Sequence, residues 1–241
     1  MSVLLSATGL GKEFRGPRRG APTRVLRDVT LSVAEGEFVA VVGPSGSGKS
    51  TLLACLAGLE PATSGRVELA GIDLSTLGLS GLARHRRRTV SVIFQAYNLL
   101  PTLTVRENVE LPARLAHRRP DERDVMSALD ELGLLACADR LPSELSGGQQ
   151  QRTAIARAIV AATPVLLADE PTGALDQANG RVVLERLAAT AGARRAVLLV
   201  THDLDAAARC DRVLVLRDGR LVNELVSPTS RQVFDAVAAT T

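Results

Sequence analysis

The eight residues Gly43-Pro44-Ser45-Gly46-Ser47-Gly48-Lys49-Ser50 constrain this chain more than any other stretch. They join an apolar run, Phe38-Val39-Ala40-Val41-Val42, to a helical pattern, Thr51-Leu52-Leu53-Ala54-Cys55-Leu56-Ala57. Strand, glycine loop and helix in that order make a P-loop. The glycines let successive backbone N–H groups converge on phosphate oxygens, and the helix N-terminus adds its positive end. Lys49 brings a mobile cation to the outer phosphates, the Ser50 hydroxyl is placed to ligate Mg²⁺, and Thr51 carries the phosphate-binding set into the helix. A plain glycine turn is the alternative, and the chain's own usage argues against it. Of 29 Lys+Arg residues only Lys12 and Lys49 are lysines, and one of them stands in the slot that the loop requires.

Around this loop, 241 residues with 46% hydrophobic content suffice for one domain with a buried core. The longest uncharged stretch, 89–105, is broken by Gln95, Asn98 and Pro101, so no bilayer span is expected, and Met1 to Leu10 carries no basic leader pattern. Cys55, Cys137 and Cys210 are isolated and read as buried thiols of a reducing compartment. A net charge of +3, one Tyr, four Phe and no Trp argue against a nucleic-acid partner. The basic run Arg84-His85-Arg86-Arg87-Arg88 reads as a solvated helix face, with a basic contact patch as the other account.

Taken in order, residues 2–8 and 24–33 alternate as half-buried strands, with a polar loop over Gly16 to Pro22 between them. Short strands are expected at 66–70 and 90–94, the second ending at Gln95. Residues 104–137 read as helices punctuated by Pro112 and Pro120, followed by another helix over 146–161. Val165-Leu166-Leu167-Ala168 and Ala196-Val197-Leu198-Leu199-Val200 are continuous apolar runs, as in parallel strands buried on both faces, with a helix over 175–191 between them. A hairpin over 212–225 and a helical tail complete the chain.

The strand Val165 to Ala168 runs into Asp169-Glu170-Pro171, two adjacent carboxylates that a core would not hold without a use. Alternation along a strand aims them differently. Asp169 is suited to hold Mg²⁺, and Glu170 to reach a water in line with a terminal phosphate. A strand simply emerging into solvent is the bland alternative.

With Leu145-Ser146-Gly147-Gly148-Gln149-Gln150-Gln151-Arg152, the chain resembles the ATP-binding cassette ATPases along essentially its whole length. The resemblance implies an α/β fold: a P-loop NTPase core with a mainly parallel sheet, an N-terminal antiparallel β subdomain, and an α-helical subdomain carrying the signature. It implies a single nucleotide-binding domain, 1–241, with the helical subdomain at approximately 96–162. ATP and Mg²⁺ are the implied cofactors. Gln95 matches the glutamine that touches Mg²⁺ and the attacking water. Ser146, Gly147, Gly148 and Gln149 match the signature that meets the γ-phosphate bound on the opposite subunit, and Asp176 in Ala174-Leu175-Asp176 matches the loop linking the two sites. His202 matches the switch histidine, although on sequence alone a single His reads as structural. Where the family commonly stacks adenine on a tyrosine, this chain offers Phe14; the same role or a core position fits that residue.

The stretch Phe94 to Val105, with Glu107-Asn108-Val109, is similar to the macrolide-efflux, lipoprotein-release and cell-division group. This similarity implies an ATP-dependent homodimer driving a separate integral-membrane permease, on the inner face of the cell membrane, in export or extrusion. A force-transmitting ATPase on a non-transporting membrane partner is the second reading. The apolar residues of 97–104 suit a permease contact or internal packing of the helical subdomain.

Overall fold

The computed structural model describes residues 2–15 and 22–239, so the polar loop expected over Gly16 to Pro22 lies, but for Pro22, outside the described residues. In chain order the elements are β1 Val3–Phe14, β2 Thr23–Ala34, β3 Phe38–Val42, α1 Lys49–Leu56, β4 Ser64–Leu69, β5 Ile72–Asp73, α2 Leu79–Thr89 and β6 Val90–Ile93. Then come α3 Val105–Leu115, α4 Glu122–Glu131, α5 Gly147–Val160, β7 Val165–Asp169, α6 Gln177–Gly192 and β8 Ala196–Val200. The last are α7 Leu204–Ala207, β9 Arg212–Arg217, β10 Arg220–Val226 and α8 Ser230–Ala238.

They form two sheets. One is antiparallel, in the order β2-β1-β4-β5; the other is six-stranded, in the order β10-β9-β3-β8-β7-β6. The five strands from β9 to β6 are parallel, and β10 folds back on β9 as the expected hairpin. The continuous apolar runs behave as two-sided strands should. In β3, Phe38, Ala40 and Val42 face one core, whereas Val39 and Val41 face the other. The first core lies against α3 to α6. The second is shared with α1 and the antiparallel sheet, through Leu52, Leu53, Leu56, Leu5, Leu10 and Val29.

This topology places one edge above all others. In the order β3-β8-β7-β6, the C-terminal ends of four adjacent parallel strands lead into the Gly43–Ser50 loop, His202, Asp169-Glu170 and Gln95. Open parallel sheets bind ligands beyond the carboxyl ends of their strands.

Two local expectations differ. Pro112 lies inside α3 rather than ending it. The proline removes one backbone hydrogen bond, but Val105 and Val109 pack into the core before it and Ala113 is buried after it, so tertiary packing overrides the local signal. The arginine run is more than a solvated face. Arg86 donates to the Gly58 carbonyl at 2.6 Å and Arg87 to the Leu115 carbonyl at 2.8 Å, while a His85 ring nitrogen lies 2.9 Å from the Leu69 carbonyl oxygen.

Candidate active site

The loop after β3 is built for close backbone approach. Gly43 has φ 150°, and a Cβ there would lie 2.0 Å from the Leu216 carbonyl oxygen. Gly48, at φ 104°, caps α1, and a Cβ would press on the Val25 carbonyl at 3.0 Å. The Lys49 ammonium donates back to the carbonyls of Gly43 at 2.8 Å and Pro44 at 3.0 Å. Burial lowers its pKa, while Glu170 and Asp169 act the other way and favour the charge.

A cavity of about 630 Å³ opens here, lined among others by Ser45, Gly46, Gly48, Lys49, Ser50 and Thr51. Gln95, Asp169, Glu170 and His202 complete the same wall, so residues scattered over more than half the sequence meet in one place. Burial raises the Asp169 carboxyl above the usual aspartate range; the nearby Ser50 hydroxyl acts the other way, and neighbouring Glu170 adds to the rise. Glu170 leaves the strand at φ 51°, its N–H donating to Val200 at 2.9 Å. Its carboxylate Oε1 lies 2.8 Å from His202 Nδ1, and its Oε2 lies 3.5 Å from the Thr201 hydroxyl. The two acids thus turn to different partners, as alternation suggested, with a left-handed residue sharpening the divergence.

Do these residues fit a divalent cation with nucleotide phosphates? Among the described residues no three His, Cys, Asp or Glu side chains cluster as a self-sufficient metal cage. One hydroxyl and one carboxylate beside a phosphate cradle suit Mg²⁺, which binds through one or two carboxylates and substrate oxygens. The buried Ser47 hydroxyl, which has no hydrogen-bond partner among the described residues, adds a polar group to the loop.

Other expected residues stand apart from this wall. Ser146, Gly147, Gly148, Gln149 and Asp176 do not line it, nor do Phe14, Gly43, Pro44 and Ser47. Ser146 caps α5 in a reciprocal box with Gln149, at 3.3 and 2.9 Å. A Cβ on Gly148 would lie 3.3 Å from Leu175 and one on Gly147 3.5 Å from the Tyr97 hydroxyl, so the signature packs between the 174–176 loop and the segment after Gln95. Asp176 caps α6, and the Asn179 N–H holds its carboxyl below the usual range. Phe14 ends β1 opposite Thr23, two residues from the cavity-lining Val25, and is 41% exposed, so it is no core residue.

Sequence reasoning missed Gln151, which lines the cavity at 1% exposure, its Nε2 without a hydrogen-bond partner among the described residues. The helical phase carried the signal: Gln151 shares a face with Ala154, Ile155 and Ala158, all buried. Arg157 was missed too, and it ties α5 to the carbonyls of Tyr97 at 2.7 Å and Asn98 at 2.6 Å.

Known proteins resemble this chain in sequence and in fold. The family model described as ABC transporter matches residues 26–173. The macrolide export ATP-binding/permease protein MacB of Nitrosomonas europaea is 47% identical over 232 residues, 95% of this chain and 35% of that protein. The chain therefore spans about a third of the length of such curated relatives. YvcR of Bacillus subtilis, an uncharacterized ABC transporter ATP-binding protein, is 43% identical across 96% of this chain and 90% of its own length. Among solved structures, a dimeric post-hydrolysis state of the ATP-binding cassette MJ0796 bound to ADP and Pi superimposes with a TM-score of 0.86. It is 34% identical and covers 93% of this chain and 99% of its own. Family model, relative and cassette structure agree: the chain belongs to the ABC transporter family, as an ATP-binding cassette ATPase.

Proposed function

We propose that this chain, as one nucleotide-binding domain with its helical subdomain at about 96–162, hydrolyses ATP to drive a membrane permease. The observation that carries the reading is the Glu170 carboxylate, sheltered and set 2.8 Å from His202 in the cavity that Lys49, Ser50 and Asp169 also line. Lys49 and the loop N–H groups bind the β- and γ-phosphates. Ser50 and Asp169 would hold Mg²⁺, with Gln95 lining the same cavity; the ion neutralises phosphate charge when bound. Glu170 accepts a proton from the water that attacks the γ-phosphorus. His202, with an exposed ring, orients that carboxylate and meets the phosphoryl oxygens.

Ser146 to Gln149 and Asp176 lie outside the chain's own cavity, which supports a head-to-tail homodimer. In it the α5 N-terminus of one subunit closes on the γ-phosphate of the other. The dimeric MJ0796 structure supports the same arrangement.

For the permease, a mostly apolar groove of about 420 Å³ runs between α2, β6, α3 and α5, lined by Leu59, Phe94, Leu111 and Leu115 and edged by Arg86, Arg87 and Arg157. It adjoins the segment after Gln95, where Leu100 is 44% exposed, and suits an amphipathic cytoplasmic helix. Among the described residues no helix is long and apolar enough to cross a membrane. The chain would sit on the inner membrane face through its partner. Export is supported by relatives named for macrolide and pyoverdine export. Titration with a fluorescent ATP analogue tests the site: Lys49→Ala should lose most binding and all turnover, and parent-like affinity and turnover would contradict it.

A further inference from the structure

The chain uses lysine twice. Lys49 belongs to the loop. Lys12 lies in β1, 6% exposed, where an unpaired ammonium would be costly. It is fully partnered. Its Nζ donates to Glu60 Oε2 at 2.9 Å and to the Pro61 carbonyl at 2.9 Å, and it sits 4.7 Å from the centroid of the Phe14 ring. Three donors thus meet a carboxylate, a carbonyl and a π face. A compact tetrahedral ammonium suits that set, and the planar fork of arginine does not.

Lys12 and Phe14 are two apart on one strand, and the contact between them puts the ammonium over the ring. The ammonium therefore covers one side of the ring, and the exposure of Phe14 is left to the rest of it. Glu60 and Pro61 follow the C-terminal end of α1, the helix whose first residues are Lys49 and Ser50. Through Lys12, the ring is tied to the helix that carries the phosphate loop.

We propose that Lys12 is a positioning residue for base recognition: it holds the Phe14 ring, with the ammonium over it and the residue 41% exposed, at a fixed separation from the phosphate loop, ready for the purine of a nucleoside triphosphate. A ring held in place before the ligand arrives loses less freedom on binding. The inference rests on the reading that Phe14 stacks on adenine.

The test compares Mg²⁺-ATP with Mg²⁺-tripolyphosphate, which has the phosphates without the base, by competition against a fluorescent nucleotide. Phe14→Ala should weaken ATP about tenfold and leave tripolyphosphate unchanged. Lys12→Met should weaken ATP about fivefold, also sparing tripolyphosphate. In the double variant the Lys12 change should add nothing to the Phe14 loss, because there is no ring left to place. A Lys12 variant that binds ATP like the parent, weakens both ligands equally, or adds its full loss to that of Phe14→Ala overturns the proposal. If Phe14→Ala itself binds ATP normally, the adenine reading falls first. Should Lys12→Met fail to fold, Glu60→Ala removes one tether by truncating a part-exposed side chain. It should cost ATP about two- to threefold while sparing tripolyphosphate, and parent-like ATP binding there also overturns the proposal.

Discussion

Glu170 Oε1 and His202 Nδ1 lie 2.8 Å apart, one at the end of β7 and the other just beyond β8. The strands are parallel neighbours, with Asp169 in register with Val200, so the pairing follows from sheet topology and needs no mobile loop to form. The histidine side chain is 76% exposed and the carboxylate only 14%, a division that suits one group to meet the phosphate and the other to stay aimed at water.

Removing the histidine should therefore disturb chemistry more than binding. His202→Ala is expected to keep ATP affinity within about twofold and to lose hydrolysis by ~10²-fold or more. Phosphate release under saturating ATP measures it, and a variant with normal turnover would place His202 outside the reaction.

Asp169 offers a prediction with a sign. Burial raises its carboxyl pKa, so folding favours the protonated form. Its unfavourable contribution to stability fades as pH falls toward the unfolded value and is fully present above the folded value. Without nucleotide at neutral pH, Asp169→Asn should thus melt a few degrees higher than the parent while losing Mg²⁺-dependent turnover, the trade-off expected where function demands a strained charge. Lowering the pH should weaken Mg²⁺-ATP binding from a higher pH than an ordinary aspartate would give. Differential scanning calorimetry and Mg²⁺ titrations read the two effects, and a lower melting temperature for the variant would contradict the assignment.

Asn108, fully buried at 0% exposure, anchors the segment beside Gln95. Its Nδ2 donates to the carbonyls of Leu100, Leu103 and Thr104, and its Oδ1 accepts from the Leu100 N–H at 2.8 Å. Asn108→Ala strands those groups and should cost about 2–3 kcal/mol of stability. Chemical denaturation gives the value, and faster amide exchange at Leu100 would localise the loss.

How legible was this in the sequence? The glycine loop, the two-sided strands and the helix over 146–161 could be read because each is written in consecutive residues. Gln95, Asp169 and His202 could be named, but their meeting depends on the strand order β3-β8-β7-β6, which no local pattern encodes. Pro112 misled because a residue that usually ends helices is outweighed here by burial on both sides. The Arg86 and Arg87 bonds, and the Lys12 tether to Glu60, join residues 28, 28 and 48 apart, and such pairings are invisible to any reading of neighbours. Gln151 was within reach, since counting helical phase from Ser146 separates it from Gln149 and Gln150, which are less buried.

The central claim is that Glu170 activates water inside a nucleotide sandwich made by two chains. Glu170→Gln preserves shape and hydrogen-bonding capacity but removes the charge, so ATP and Mg²⁺ should still bind while hydrolysis falls by ~10²–10⁴. Light scattering after size exclusion should then show a dimer with ATP and a monomer with ADP, because the γ-phosphate bridging Lys49 of one chain and Ser146 to Gly148 of the other is present only in ATP. A variant that hydrolyses ATP at the parent rate, or one that is inactive yet stays monomeric with ATP, would contradict the account.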